Sequence, residues 1–235
     1  MREEFDAVIV ADGDFPTHPI PLDILSRARF VVCCDGATRN LSNFREKPCE
    51  TVAGEIARDN PCETVASTSV AVVGDGDSVP DAYRHLLIQV TEQEDNDLTK
   101  ATRYCLDRLS ACRPTPAPLR IAYLGCTGRR EDHTLGNISL LMRYYRDMAV
   151  EGVMFTDHGF FTPAQGLRTF VSEPRQQVSI FNFGCTSIQS EGLRWNSYAY
   201  KEWWQGTLNE ALATTFTLRS DGFYMVYQTY DTKQG

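Results

Sequence analysis

Val70-Ala71-Val72-Val73-Gly74-Asp75-Gly76-Asp77-Ser78 joins a short apolar run, mostly β-branched, to a loop of glycines and aspartates. A run that is apolar at every position, rather than at every second one, suits a strand covered on both faces, as in a parallel sheet. Comparable runs stand at Ala7 to Ala11, Phe30 to Cys34, Leu86 to Val90, Ile121 to Leu124 and Val153 to Phe155. Helical patterns separate them. Leu98, Ala101, Cys105 and Leu109 share one helical face, and Leu135, Ile138, Leu141, Met142 and Tyr145 share another. Strands alternating with helices predict an α/β domain, with a mostly parallel sheet and flanking helices, over residues 1–160.

The texture changes after about residue 165. Thr169 to Val171, Val178 to Phe183, Thr215 to Leu218 and Phe223 to Tyr227 are short and β-prone, with breaks at Pro174, Gly184, Gly192 and Asp221-Gly222. Asp-Gly between two such runs is a hairpin signal. The expectation is a C-terminal antiparallel β-sandwich domain over 165–235, joined to the first domain through Pro163 to Gly166. Residues 43–68 read as an inserted helix or an irregular loop.

The segments at the ends of the apolar runs carry the functional signal. The runs lead into Asp35-Gly36-Ala37, Gly74 to Ser78, Gln93-Glu94-Asp95-Asn96-Asp97, and Gly125-Cys126-Thr127-Gly128-Arg129-Arg130-Glu131-Asp132-His133. In an open parallel sheet these segments meet along the carboxyl edge, where ligands bind. Asp75 and Asp77, on either side of a glycine, can share one hard cation such as Mg²⁺; the same residues also suit a plain turn. Asn96 or Asp97 would cap the helix that starts there. Lys100, one turn in, reads as a surface charge when taken alone and as part of a metal–phosphate clamp when taken with Asp97. Thr127, Gly128 and Arg130 suit an anion at a helix start, with Asp132 and His133 beside it. The spacing fits neither a Walker A loop nor the dinucleotide fingerprint.

Composition narrows the partners. A formal charge of -8 argues against nucleic acid, whose ligands present a basic face. No apolar stretch reaches the roughly 18 residues of a membrane span, and Met1 to Asp6 is too acidic for an export signal. The eight cysteines form no C-x-x-C pair. Together these features predict a cytoplasmic protein with reduced thiols.

Taken in order, the segments resemble the thiamine pyrophosphokinase family, whose motifs read approximately Asp-Gly-Gly, Gly-Asp-x-Asp-Ser, Thr-Asp-x-x-Lys, Gly-x-x-Gly-Gly-Arg-x-Asp-His, Gly-Leu-Lys-Trp and Ser-Asn. Here they stand as Asp35-Gly36-Ala37, Gly74 to Ser78, Asn96 to Lys100, Gly125 to His133, Gly192-Leu193-Arg194-Trp195 and Leu208-Asn209. The departures are Ala37 and Arg129 for glycines, Asn96 for threonine, and Leu208 for the serine near thiamine.

The resemblance implies a homodimer that transfers pyrophosphate from ATP to thiamine, with the thiamine site formed between subunits. Catalysis would fall to Asp75, Asp77, Asp97 and Lys100, the three aspartates also holding Mg²⁺. ATP would meet Asp35, Thr127, Gly128, Arg130, Asp132 and His133, and thiamine would meet Gln93, Trp195 and Asn209. Trp195 also suits a core aromatic. Adjacent Trp203 and Trp204 are candidates for the dimer surface or the substrate wall. Two other readings stay open here: an Mg²⁺-dependent phosphotransferase with a different alcohol acceptor, and a non-catalytic nucleotide or thiamine sensor.

Overall fold

The computed structural model describes residues 4–40, 69–110 and 117–233. Cys49, Cys62, Cys112 and the 43–68 stretch lie outside the described residues. The chain forms two compact units, Met1–Asp157 and His158–Gly235.

The first unit runs β1 (Ala7–Val10), α1 (Pro19–Arg27), β2 (Phe30–Cys34), β3 (Ser69–Gly74), β4 (Leu87–Gln89), α2 (Asp97–Ser110), β5 (Leu119–Leu124), α3 (Glu131–Asp147) and β6 (Val150–Phe155). Its strands lie in the order β6-β5-β1-β2-β3-β4, all parallel. Ile9 sits mid-sheet between Val32 and Tyr123 and is wholly buried. The unbroken apolar runs are thus explained by cover on both faces. The chain winds one way from β1 through β4, then returns to the other side of β1 with β5 and β6. The crevice where crossovers diverge therefore lies between β1 and β5.

Helix α2 buries Leu98, Ala101 and Cys105 as its period predicts, but Thr99, Lys100 and Thr102 are buried too. Two hydroxyl pairs make this possible. Thr99 Oγ1 lies 2.7 Å from the Tyr144 hydroxyl. Thr102 Oγ1 donates to the Leu98 carbonyl at 2.8 Å and lies 3.1 Å from the Tyr123 hydroxyl. The two tyrosines are fully buried and stack with ring centroids 5.8 Å apart. In α3 the buried residues are Leu141, Met142 and Tyr144. Leu135, expected on the buried face, is 56% exposed. No residue of α3 before Leu141 is buried, so the face that Leu135 shares is covered only over the second half of the helix.

The second unit holds β7 (Gly159–Val171), β8 (Gln176–Phe183), β9 (Ile188–Glu191), β10 (Asn209–Glu210) and β11 (Thr215–Thr232). Every pairing among these strands is antiparallel. Strand β11 pairs with β7 along both halves and shifts register between Arg219 and Phe223. On its other side it pairs with β9 before that shift and with β8 after it. Phe170, Phe216 and Leu218 from the first half share one core with Ile180, Tyr224 and Val226 from the second. Two layers thus close over a common interior, as a sandwich requires.

Two local expectations fail. Asp221-Gly222 turns no hairpin; it lies at the bulge inside β11. The Asp221 carboxylate accepts from the Thr186 and Ser187 amides at 2.9 and 3.0 Å and from the Thr186 hydroxyl. A Cβ on Gly222 would meet the Gly184 carbonyl oxygen at 3.0 Å, so a close backbone approach calls for glycine there. Pro163 to Gly166 is likewise no joint. Pro163 stands opposite Met225 within β7, where its fixed φ suits extended chain. Gly166, at φ 67°, turns the corner facing the bulge, and its amide donates to Ser220 Oγ at 3.2 Å.

The tyrosine pairs give a stability prediction. Thr102→Val leaves the buried Tyr123 hydroxyl unsatisfied and should cost about 1–3 kcal/mol, lowering the melting temperature by roughly 2–4 °C per kcal/mol. Adding Tyr123→Phe should restore most of the loss. Thermal melts of the single and double variants, monitored by circular dichroism, check both halves of the prediction.

Candidate active site

The 3₁₀ turn Asp35–Ala37 comes directly after β2, and the Gly74–Ser78 loop directly after β3. They touch. A Cβ on Gly74 would meet Asp35 Cβ at 2.9 Å, so glycine there lets the aspartate lie against the neighbouring strand. Gly76, at φ 93°, bends the next loop so that the Asp77 amide donates to Asp75 Oδ1 at 3.1 Å. The loop is therefore a turn, and the turn presents carboxylates to the sheet edge.

Asp35 is buried. Its Oδ2 accepts from the Ser78 amide at 3.3 Å, while its Oδ1 is buried without a hydrogen-bond partner. Burial raises the Asp35 carboxyl above its usual range, and a hydrogen bond shared with the Asp75 carboxyl adds to this. Asp75 is held below its usual range, first by the Asp77 amide and further by Asp35, Lys100 and Gln93. The two neighbouring acids are thus set apart, Asp35 shifted toward its neutral form and Asp75 toward its charged form.

Helix α2 brings the counter-charge. Asn96 is the cap, its Oδ1 accepting from the Thr99 amide at 3.0 Å and the Thr99 hydroxyl at 2.9 Å. Asp97 is thereby released from capping. Its Oδ1 instead lies 3.4 Å from Lys100 Nζ, and Lys100 is only 5% exposed. A lysine this buried is no surface charge; it stays there because carboxylates surround it. The remaining acids of the same loop serve as scaffold: Glu92 pairs with Arg103, and Asp95 pairs with Arg103 at 2.9 Å and Arg143 at 3.1 Å.

The loop after β5 meets the loop after β1. The Gly13 amide donates to the Gly125 carbonyl and the Asp14 amide to the Thr127 carbonyl, both at 2.8 Å. A Cβ on Gly128 would strike the Asp14 carboxylate at 2.1 Å. Arg129 comes next at φ 55°, a left-handed backbone that costs a non-glycine residue roughly 1–2 kcal/mol. Its Nη1 pairs with Asp12 Oδ2 at 3.0 Å. Arg130 forms a separate, exposed fork with Asp132, Nε to Oδ1 at 3.1 Å and Nη2 to Oδ2 at 2.6 Å. The His133 amide donates to Asp132 Oδ1 at 2.9 Å, and the His133 side chain is exposed.

The predicted residues thus fall into groups. Asp35, Asp75, Asp97, Lys100 and Gln93 form one electrostatic cluster, with Asp77 attached to it through its amide. Thr127 and Gly128 lie beside Asp12 and Asp14, and Arg130, Asp132 and His133 form a third group. Asp12 and Asp14 escaped the sequence reading, although Ala11-Asp12-Gly13-Asp14 repeats the strand-end pattern seen after β3.

In the second unit Trp195 is 51% exposed, with the Arg194 guanidinium 5.1 Å from its ring centroid. Asn209 is buried. Its Oδ1 accepts from the Trp195 and Glu210 amides at 3.2 and 2.8 Å, and its Nδ2 donates to the Trp195 carbonyl at 2.8 Å. Its side chain clamps the tryptophan backbone. Leu208 beside it is exposed at φ 65°. Trp203 lies against Phe181 and Phe183, with ring centroids 5.9 and 5.4 Å apart, and Trp204 is open to solvent.

Comparison with known proteins accords with this arrangement. Residues 22–151 match the family model for the catalytic domain of thiamin pyrophosphokinase, and residues 159–227 match that for its substrate-binding domain. Among solved structures, thiamin pyrophosphokinase from Candida albicans superposes with a TM-score of 0.70 at 15% identity, covering 96% of this chain and 90% of that one. The Bacillus subtilis thiamine pyrophosphokinase gives 0.66 at 17% identity, covering 96% and 99%. The Geobacillus thermodenitrificans thiamin pyrophosphokinase gives 0.67 at 18%, covering 96% and 97%. At these identities the likeness speaks for the fold. No curated protein sequence matches the chain.

The Asn209 clamp makes a prediction independent of chemistry. Asn209→Ala, in a Trp203→Phe/Trp204→Phe background, should leave the fold intact, cost about 1–3 kcal/mol and make Trp195 more accessible. Acrylamide quenching of tryptophan fluorescence measures the last effect. Quenching equal to that of the background protein would show that Trp195 is held by something else.

Proposed function

The chain belongs to the thiamin pyrophosphokinase family, and on that premise we propose that it moves the pyrophosphoryl group of ATP onto the primary hydroxyl of thiamine, giving thiamine diphosphate and AMP. The observation that carries this reading is the convergence of Asp35, Asp75, Asp97 and buried Lys100 at the carboxyl edge of the parallel sheet. Pyrophosphoryl transfer asks a protein mainly to position two substrates and to balance charge on phosphate oxygens.

The donors at this edge fit Mg²⁺. They are hard carboxylate oxygens, one of them buried and without a hydrogen-bond partner on Asp35. Among the described residues no three metal-binding side chains form a cage of their own. Mg²⁺ keeps several waters and takes phosphate oxygens beside its carboxylates, so the protein need not supply the whole shell. Asp75, Asp77 and Asp97 would hold it, with Asp35 behind them. Bound there, Mg²⁺ would supply Lewis acidity at the phosphates.

The chain's own side chains do the rest. Lys100, fixed by Asp97, presents a cation to phosphate oxygens. The Thr127–Gly128 loop and Arg130, with Asp132 and His133 beside it, receive the nucleotide. Asp35 braces the Ser78 amide and so orients the Asp75–Asp77 loop. In the second unit the exposed face of Trp195 is an aromatic wall for thiamine, with Asn209 holding its backbone.

A homodimer with thiamine bound between subunits is part of this reading. It is supported by aromatic residues on the second unit, where Phe161 lies 4.6 Å from Tyr227 and 6.2 Å from Phe181 by ring centroids and the row continues to Trp203. Trp204, Leu208 and Leu212 are further exposed apolar side chains of this unit. No described helix is long and apolar enough to cross a membrane. The described cysteines are buried thiols, in keeping with a reducing, cytoplasmic setting.

The test is AMP and thiamine diphosphate formation from purified protein, ATP, thiamine and Mg²⁺. Both products should appear together, and omitting thiamine or chelating the metal should abolish both. Asp77→Asn should reduce turnover by at least a hundredfold while leaving the circular dichroism spectrum unchanged. Turnover near that of the unaltered protein would remove Asp77 from the metal set.

A further inference from the structure

Arg129 stands where the related motif has glycine, in a backbone conformation that glycine adopts freely. Its guanidinium bridges the crevice between β1 and β5, the point at which parallel sheets of this kind receive ligands. Its partner Asp12 belongs to the loop after β1, outside the residues matched by the catalytic-domain model. The same Asp12 oxygen lies where a Cβ on Gly36 would meet it at 2.9 Å, so the ion pair also abuts the turn that carries Asp35. The other arginine of this loop, Arg130, is held by two contacts to Asp132. Arg129 makes one ion pair, and its side chain is half exposed. The surrounding edge is acidic: Asp12 and Asp14 follow β1, and Asp35 and Asp75 follow β2 and β3.

We propose that Arg129 is a nucleotide-phosphate-binding residue, held on Asp12 until a nucleotide arrives. The proposal rests on the pyrophosphoryl-transfer reading for the identity of the nucleotide. A guanidinium donates to carboxylate and phosphate oxygens through the same planar fork. Exchange of Asp12 for phosphate therefore needs no new geometry, and the more highly charged ligand draws the side chain across. Asp12 has two effects: it keeps the left-handed Arg129 in place, and it competes with ATP for it.

These two effects predict opposite signs on opposite partners. ATP binding is titrated calorimetrically with Mg²⁺ present and thiamine omitted, so that turnover plays no part, and adenosine serves as the phosphate-free control. Arg129→Gly, which suits the backbone at that position, should weaken ATP binding by roughly ten- to a hundredfold, the loss of one charge-assisted contact. Adenosine binding should be unchanged. Asp12→Asn should tighten ATP binding by a few fold. Unchanged ATP affinity in Arg129→Gly overturns the proposal, as does an equal loss for ATP and adenosine. So does weakening in both variants, which would mark the pair as a structural strut. A protein that binds ATP with the predicted signs yet forms no thiamine diphosphate would refute the transfer reading and leave the role of Arg129 standing.

Discussion

Lys100 gives up nearly all its water to sit among carboxylates at the start of α2, and much of the candidate site depends on that. A buried ammonium is stable only with counter-charge close by, so Asp97 cannot also serve as the helix cap. Asn96 takes that task. The acids on the strand side face the mirror constraint. Burial pushes the Asp35 carboxyl up, while the Asp77 amide holds Asp75 down, so the two neighbours do not carry charge equally readily. Glu92 and Asp95, tied to Arg103 and Arg143, anchor the intervening loop so that these charges stay where the sheet puts them.

Much of this was legible in the sequence because two-sided burial writes itself as unbroken apolar runs, and parallel pairing sends the residues at the end of each run to one edge. Asp35, Asp75, Asp97 and Lys100 could be gathered from that rule alone. The rule hides the division of labour among neighbours. Asn96 and Asp97 are equivalent as caps by residue type, and only the buried ammonium separates them. The hydroxyl pairs Thr99–Tyr144 and Thr102–Tyr123 were invisible for a related reason: hydropathy registers these residues as polar, whereas in pairs they bury as readily as hydrocarbon. Leu135 shows the converse. It has the right period, but only the second half of its helix is covered.

The C-terminal unit misled in another way. Asp221-Gly222 carries the composition of a hairpin, yet its aspartate is occupied by the Thr186–Ser187 backbone and its glycine by the close approach of Gly184 and Cys185. Those contacts come from more than thirty residues away in the chain, a distance that turn chemistry does not register. Asn209 is comparable. Its residue type suggests a hydrogen bond to a ligand, but the side chain is engaged with Trp195, and its influence on any ligand passes through that residue.

The bulge in β11 has a consequence for how the second unit comes apart. One strand pairs with β9 before the bulge and with β8 after it, while β7 accompanies it along both halves, so neither layer owns its central strand. Opening one layer drags on the hydrogen bonds of the other, and a register slip in either must break the Asp221 anchor first. The unit should therefore behave as a single foldon. Partial opening of one exposed sheet edge, the usual first step toward edge-to-edge aggregation, would require almost the whole unit to unfold.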